Sequence, residues 1–172
     1  MSVYEAEGRR VERIAGDRIW ARITSEPLDV DGLMDFVATP EAGATVVFSG
    51  TVRSHSAEHD GVTSIDYEAH EKLASARLLE IANEALVRFE GIQRVAVAHR
   101  TGNVALGESS VLVVCSATHR GDAFEAARYV IDTVKSAVPI WKNEYSMDGA
   151  DWLAGETLAP AVPSAAKEAP LS

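Results

Sequence analysis

The chain has a single cysteine, Cys115, among its 172 residues. No internal disulfide can form, which fits a reducing compartment. No apolar run approaches the roughly 20 residues needed to span a bilayer. Charges are scattered through the N-terminal stretch with no apolar signal core, so the expected location is the cytoplasm. Positive charge is scarce: 16 Lys and Arg against 26 Asp and Glu leave a formal net charge of -10. That balance argues against a general nucleic-acid binder, whose affinity rests on a basic surface. Internal repeats are not evident. The spacing of His55 and His59 would allow a shared ion, but no carboxylate or cysteine cluster completes the set, and no metal is expected.

What is present is an ordinary globular composition, 47% hydrophobic and 24% charged, with enough residues for one domain and a substantial core. Residues 1–15 show no sustained period and read as a flexible N-terminal arm. Residues 18–24 alternate Ile19, Ala21 and Ile23 against polar neighbours, a half-buried strand, with Trp20 on its other face. A short helix is expected over 29–38, ended by Thr39-Pro40. Residues 44–52 and 62–69 read as strands separated by a polar loop. Residues 71–89 form a long helix whose stripe would be Leu73, Ala76, Leu79, Ala82 and Leu86. Gly91 breaks it. A strand carrying Val95 and Val97 follows, then a short element over 104–107 and a strong β run over 109–117. The pattern is that of an α+β protein with a mostly antiparallel sheet. The folded domain is expected over 16–154, and the Ala/Pro-rich residues 155–172 read as a disordered tail.

The positive charge that exists is concentrated. Residues 119–144 hold His119, Arg120, Arg128, Lys135 and Lys142 against four acids, so this segment is near neutral in an acidic chain. Asp122 and Glu125 resemble a capping box opening a helix, with Phe124, Ala127, Ile131, Val134 and Val138 as its buried stripe and Pro139 as its stop. At about 100° per residue, Lys135 sits on the border between core and solvent. Two readings stand at this point: a partly desolvated lysine usable as a base, or one that lays its stem on the apolar edge and keeps its charge in water. Lys142 follows the rigid segment Pro139-Ile140-Trp141, which fixes its direction. His119-Arg120 marks a strand-to-helix junction suited to an anion, or else a solvated turn. Cys115 lies inside an apolar strand and reads as a small hydrophobe rather than a nucleophile.

The order of motifs resembles a known family. Gly50-Thr51-Val52-Arg53, Tyr67-Glu68-Ala69-His70, His99-Arg100-Thr101-Gly102 and Gly107-Glu108 occur in sequence. His119-Arg120, Ala123-Phe124, Ile131-Asp132, Lys135, Pro139-Ile140-Trp141-Lys142-Asn143-Glu144, and Gly149 with Trp152 follow. The set is similar to the large, catalytic subunit of molybdopterin synthase and covers residues 18–153. The resemblance implies an α/β-hammerhead-type fold and a homodimer within a heterotetramer, with a small ubiquitin-like subunit docked on each protomer. It implies a sulfurtransferase in molybdenum cofactor biosynthesis. The thiocarboxylated C-terminus of the small subunit would supply sulfur to cyclic pyranopterin monophosphate, forming the molybdopterin dithiolene without a cofactor or metal. Positions matching substrate contacts are Thr51, Val52, Arg53, His119, Arg120, Lys135, Lys142, Asn143 and Glu144, with Lys135 and Lys142 catalytic. His119-Arg120 of one protomer would serve the lysines of its mate. Two departures stand out: His70 replaces a usual Tyr, and no arginine follows Trp152 closely. The competing reading is a non-catalytic pterin-phosphate-binding or scaffold homologue. A phosphate-ester hydrolase ranks last, for want of paired carboxylates or metal ligands.

Overall fold

The computed structural model describes residues 16–55 and 60–146, and the backbone of 156–157. Four strands form the larger sheet, in the order β1-β4-β6-β2: β1 (Ile19–Thr24), β2 (Ala44–Thr51), β4 (Ile92–Arg100) and β6 (Ser109–Ala117). β1 runs parallel to β4, while β4–β6 and β6–β2 are antiparallel. β6 is its spine, an almost unbroken apolar run buried on both faces, as expected where both sides of a strand are covered. A second sheet has the order β5-β3-β7-β8. It comprises β3 (Val62–Ala69), β5 (Gly102–Ala105), β7 (Ile140–Ser146) and β8 (Glu156–Thr157).

Both faces of the larger sheet are covered. α2 (Glu71–Arg88) and α3 (Arg120–Ala137) pack on one side with the second sheet, giving a main core that includes Leu78, Ile81, Val97, Val113, Val130 and Ile140. α1 (Val30–Val37) covers the other side, where Leu33 and Val37 meet Ala96, Ala98, Leu112 and Val114. The Asp29 carboxylate caps α1 by accepting from the Gly32 N–H at 3.1 Å, as its side chain suits. Trp20 belongs to this second cluster, edge-on to Phe36 at 5.8 Å. The result is an α+β fold of the α/β-hammerhead type, with two mostly antiparallel sheets where the sequence pattern suggests one.

Several local expectations need correction. The buried stripe of α2 is Ala74, Leu78, Ile81, Ala82 and Ala85, while Leu73 is exposed. In α3 it is Ala123, Ala126, Ala127, Val130, Ile131 and Val134, while Phe124 is 64% exposed. Alanines face inward in both because small side chains let helix backbone lie close to the sheet and to the other helix. The N-cap of α3 is His119, without a side-chain capping bond, so Asp122 lies in the first turn and opens no capping box. Residues 140–146 form a full strand, β7, and β8 pairs with it, Trp141 opposite Thr157 and Lys142 opposite Glu156. The expected N-terminal arm, the remainder of the expected tail, His59 and Trp152 lie outside the described residues.

Cys115 faces the main core from β6, and burial pushes its thiol up to about 12. The native protein is therefore expected to resist alkylation at pH 8, with labelling of Cys115 appearing only across the denaturant unfolding transition. Rapid labelling of the folded chain, followed by mass spectrometry, contradicts this placement.

Candidate functional site

One cleft of about 460 Å³ opens where the second sheet, α3 and the ends of the larger sheet meet. Its cations come from three separate elements. Arg53 follows β2, Lys135 lies in the last turn of α3, and Lys142 lies on β7. Thr51, His55, Tyr67, His99, Ser110 and Glu144 also line it, over an apolar wall that includes Ile65, Val111, Ile131 and Val134.

Strand alternation explains which β7 residues face inward. β3 pairs with β7 so that Tyr67 opposes Lys142 and Ile65 opposes Glu144. Successive residues point to opposite sides of a strand, so Lys142 and Glu144 share the cleft side with Tyr67 and Ile65. Asn143, opposite Asp66, faces the other way. The Lys142 ammonium donates to Glu144 Oε1 at 3.0 Å, and the Glu144 side chain is only 8% exposed. This pairing compensates a buried carboxylate and holds Lys142 in a defined direction. Lys135 is exposed, with its ammonium 6.0 Å from the centre of the Phe48 ring. It matches the solvated-lysine reading more closely than the desolvated one.

The Gly50–Arg53 segment is held by the β5–β6 turn. The Val52 N–H donates to Glu108 O at 3.0 Å, and the Gly107 N–H donates back to Val52 O at 2.8 Å. Gly107 supplies the turn with a φ of +85°, a conformation that glycine adopts without strain. Glu108 accepts from the Ala105 N–H at 3.0 Å and from Arg100 at 2.8 Å, which together hold its carboxyl below the usual range. A Cβ at Gly50 would lie 2.6 Å from Val111, so glycine is needed for this close approach. The side chain of Val52 is buried, 2% exposed, and does not line the cleft. The motifs around Arg100, Gly107 and Glu108 thus brace the turn from which Arg53 projects.

His119 and Arg120 are exposed at the opposite end of α3 from Lys135. At 1.5 Å rise per residue that separation is about 23 Å along the axis, so they do not join this cleft within one chain. His70 is the exposed N-cap of α2 and makes no side-chain capping bond. Among the described residues no group of His, Cys, Asp and Glu could hold a metal ion. A second groove, of about 400 Å³, lies between α2 and α3. Its Arg88 sits over the Tyr129 ring at 5.0 Å, and the Tyr129 hydroxyl donates to Glu84 at 2.7 Å. These polar groups already hold one another in a surface network.

Sequence reasoning does not assign Tyr67, His99 or Ser110 to the site. His99 is 3% exposed, and its Nδ1 lies 2.8 Å from the Arg100 carbonyl. A carbonyl only accepts, so Nδ1 carries a proton, and burial disfavours a second one, which leaves a lone pair on Nε2. The Tyr67 ring meets it edge-on at 5.2 Å. Burial raises the Tyr67 phenol above its ordinary range, opposed by a hydrogen bond with Ser110. The signal for His99 lies in period 2: Val95, Val97 and His99 share one side of β4.

Together these features define a two-sheet hammerhead-type domain with a cationic cleft at the sheet junction. The chain belongs to the family described as MoaE protein, whose model matches residues 23–137. It is 45% identical over 134 residues to molybdopterin synthase catalytic subunit 1 of Mycobacterium tuberculosis, covering 78% of this chain and 90% of that protein. Its fold is similar to the crystal structure of molybdopterin synthase from Staphylococcus aureus, with a TM-score of 0.72 and 32% identity over 77% of this chain and 96% of the other. It is also similar to a chain in the protein–protein complex of subunits 1 and 2 of molybdopterin-converting factor from Helicobacter pylori. There the TM-score is 0.63 and the identity 25%, over 77% and 89% of the two chains.

Burial lowers His99 from 6.5 to about 4. Between these values the unfolded chain binds a proton that the folded chain excludes. The neutral ring's contribution is therefore whole above pH 6.5 and is lost as pH falls toward 4, about 3 kcal/mol in all. Replacing His99 with Gln is expected to flatten this part of the stability–pH curve, as measured by urea unfolding at pH 4.5 and 7.5. An unchanged slope contradicts the buried neutral assignment.

Proposed function

We propose that this chain is the large subunit of a molybdopterin synthase. It takes sulfur from the thiocarboxylated C-terminus of a small ubiquitin-like subunit and delivers it to cyclic pyranopterin monophosphate, forming the dithiolene. The observation that carries this reading is the convergence of Arg53, Lys135 and Lys142 on one cleft in a chain whose net charge is -10. Family membership gives that cleft its chemistry, and the H. pylori two-subunit complex supports a small-subunit partner. Among the described residues no helix is long and apolar enough to cross a membrane.

The geometry suggests a division of labour. A thiocarboxylate sulfur attacks a side-chain carbon of the pterin, forming C–S as the C–O bond at that carbon breaks. Water then cleaves the acyl–sulfur bond and leaves the carrier as a carboxylate, and a second carrier repeats the step. At one carbon the oxygen leaves with the phosphate, which opens the cyclic phosphate, and at the other it leaves as water. Each step moves a proton, and each develops negative charge. Lys135, exposed in the isolated chain and without an ion pair among the described residues, is the general acid/base, a role that requires the docked carrier tail to desolvate it. Lys142, oriented by Glu144, stabilises developing negative charge, and Arg53 holds the phosphate. Thr51 lines the same cleft. Contacts from Val52 and Asn143 would require backbone atoms or movement, since neither side chain lines it in the isolated chain.

His119 and Arg120 can complete the site only from a second protomer. The exposed Phe124 on the same turn of α3 gives such an interface an apolar anchor. The functional unit in this reading is a homodimer carrying two small subunits, with the folded domain beginning near residue 16.

Two experiments test the assignment. Lys135→Ala is expected to leave the fold and carrier binding intact while lowering dithiolene formation by about a hundredfold or more, the range of a general acid/base. Calorimetric binding of the pterin phosphate that persists in the wild type with no dithiolene product favours the scaffold reading instead. In the second, inactive Arg120→Ala and Lys135→Ala proteins are co-expressed and assembled as mixed dimers. Recovered turnover supports a site shared between protomers, and none on confirmed mixed dimers contradicts it.

A further inference from the structure

Of the polar groups in the cleft that the sulfur-transfer scheme leaves unused, His99 is the most deeply buried. His99 lies at the end of β4, its ring edge-on to Tyr67, and is among the residues that line the cleft. Among the described residues its one hydrogen bond is from Nδ1 to the Arg100 carbonyl. Nε2 is therefore the ring's remaining polar atom, and it carries a lone pair. The charged groups around it differ in kind. Arg53, Lys135 and Lys142 are donors only, and Glu144 is engaged with Lys142. Ser110 donates to Gly50 O at 3.2 Å, and Tyr67 and the exposed His55 complete the polar lining.

A lone pair has a definite preference among parts of a phosphorylated heterocycle. Ionised phosphate oxygens are acceptors and are repelled by it, whereas ring N–H and O–H groups are donors. We propose that His99 Nε2 accepts a hydrogen bond from an N–H or O–H of the pterin portion of the substrate. His99 thereby fixes which end of the substrate lies deep in the cleft and which end lies toward Arg53. Burial resists protonation of the ring, so this polarity persists through the neutral pH range. The orientation matters because sulfur must reach side-chain carbons lying between the heterocycle and the phosphate. His99 is a specificity-determining residue in this account, not a proton carrier. The inference rests on the pterin phosphate occupying this cleft.

The test uses the assembled complex with thiocarboxylated small subunit. His99→Phe keeps the ring volume and removes the lone pair, and His99→Gln restores an acceptor. His99→Phe is expected to raise the KM for the pterin substrate about tenfold, the scale of one buried hydrogen bond, with small-subunit affinity unchanged. His99→Gln is expected to recover most of that loss. Equal KM values in wild type and His99→Phe overturn the proposal, as does a loss that Gln fails to rescue in a folded complex. Nitrogen-15 NMR of the wild-type imidazole covers the case in which the variants do not fold. Substrate is expected to shift the Nε2 resonance while the ring stays neutral with Nδ1 protonated, and an unmoved Nε2 or a protonated imidazolium overturns it. Arg53→Ala separates this proposal from its foundation. If Arg53→Ala leaves substrate binding intact, the cleft itself is misassigned; if it abolishes binding while His99→Phe binds normally, only the His99 role fails.

Discussion

The register of β3 against β7 is the constraint on which the site depends. Tyr67 opposes Lys142 and Ile65 opposes Glu144, so two charged residues of β7 face a wall whose other members are largely apolar. A slip of one residue would turn Trp141 and Asn143 inward and remove both charges from the cleft. Ile140 holds this register from the start of the strand, fully buried in the main core directly after Pro139. Pro139 ends the path of α3, so the same few residues stop the helix that presents Lys135 and start the strand that presents Lys142. The distance between the two lysines is thus governed by one short, rigid connection.

Electrostatics then differentiates the groups that topology gathers. Lys142 is directed by a carboxylate that burial would otherwise make costly, while Lys135 stands at the mouth of the cleft against an aromatic face. His99 stays neutral because its surroundings exclude the charged form. The acidic remainder of the protein lowers non-specific attraction for polyanions, and the local cations restore attraction for a small one within a single cleft. A site of this kind selects by position and charge together.

Much of the architecture is legible in the residues. β3 and β6 fall at their expected limits because alternation in one and a continuous apolar run in the other leave no competing pattern. The faces of α2 and α3 mislead, because Leu73 and Phe124 suggest burial more strongly than the alanines that make the close contacts. β7 is hidden for a different reason: Trp141, Lys142, Asn143, Glu144 and Tyr145 mix charge and bulk with no clean apolar face. Arg53, Lys135 and Lys142 are identified by type and motif, but their convergence is a property of tertiary structure. His119 and Arg120 stand outside the cleft because they open α3, whereas Lys135 lies in its last turn. His99 stands in the quoted motif, yet its burial and tautomer depend on the Arg100 carbonyl and the Tyr67 ring.

The most direct test of the central claim is a crystal structure of the complex with the small subunit and the pterin phosphate bound. The phosphate is expected within hydrogen-bonding distance of Arg53, with the carrier's C-terminal glycine beside Lys135 and the heterocycle directed toward His99. Substrate bound instead in the groove between α2 and α3, with the cleft at the sheet junction empty, would contradict the account.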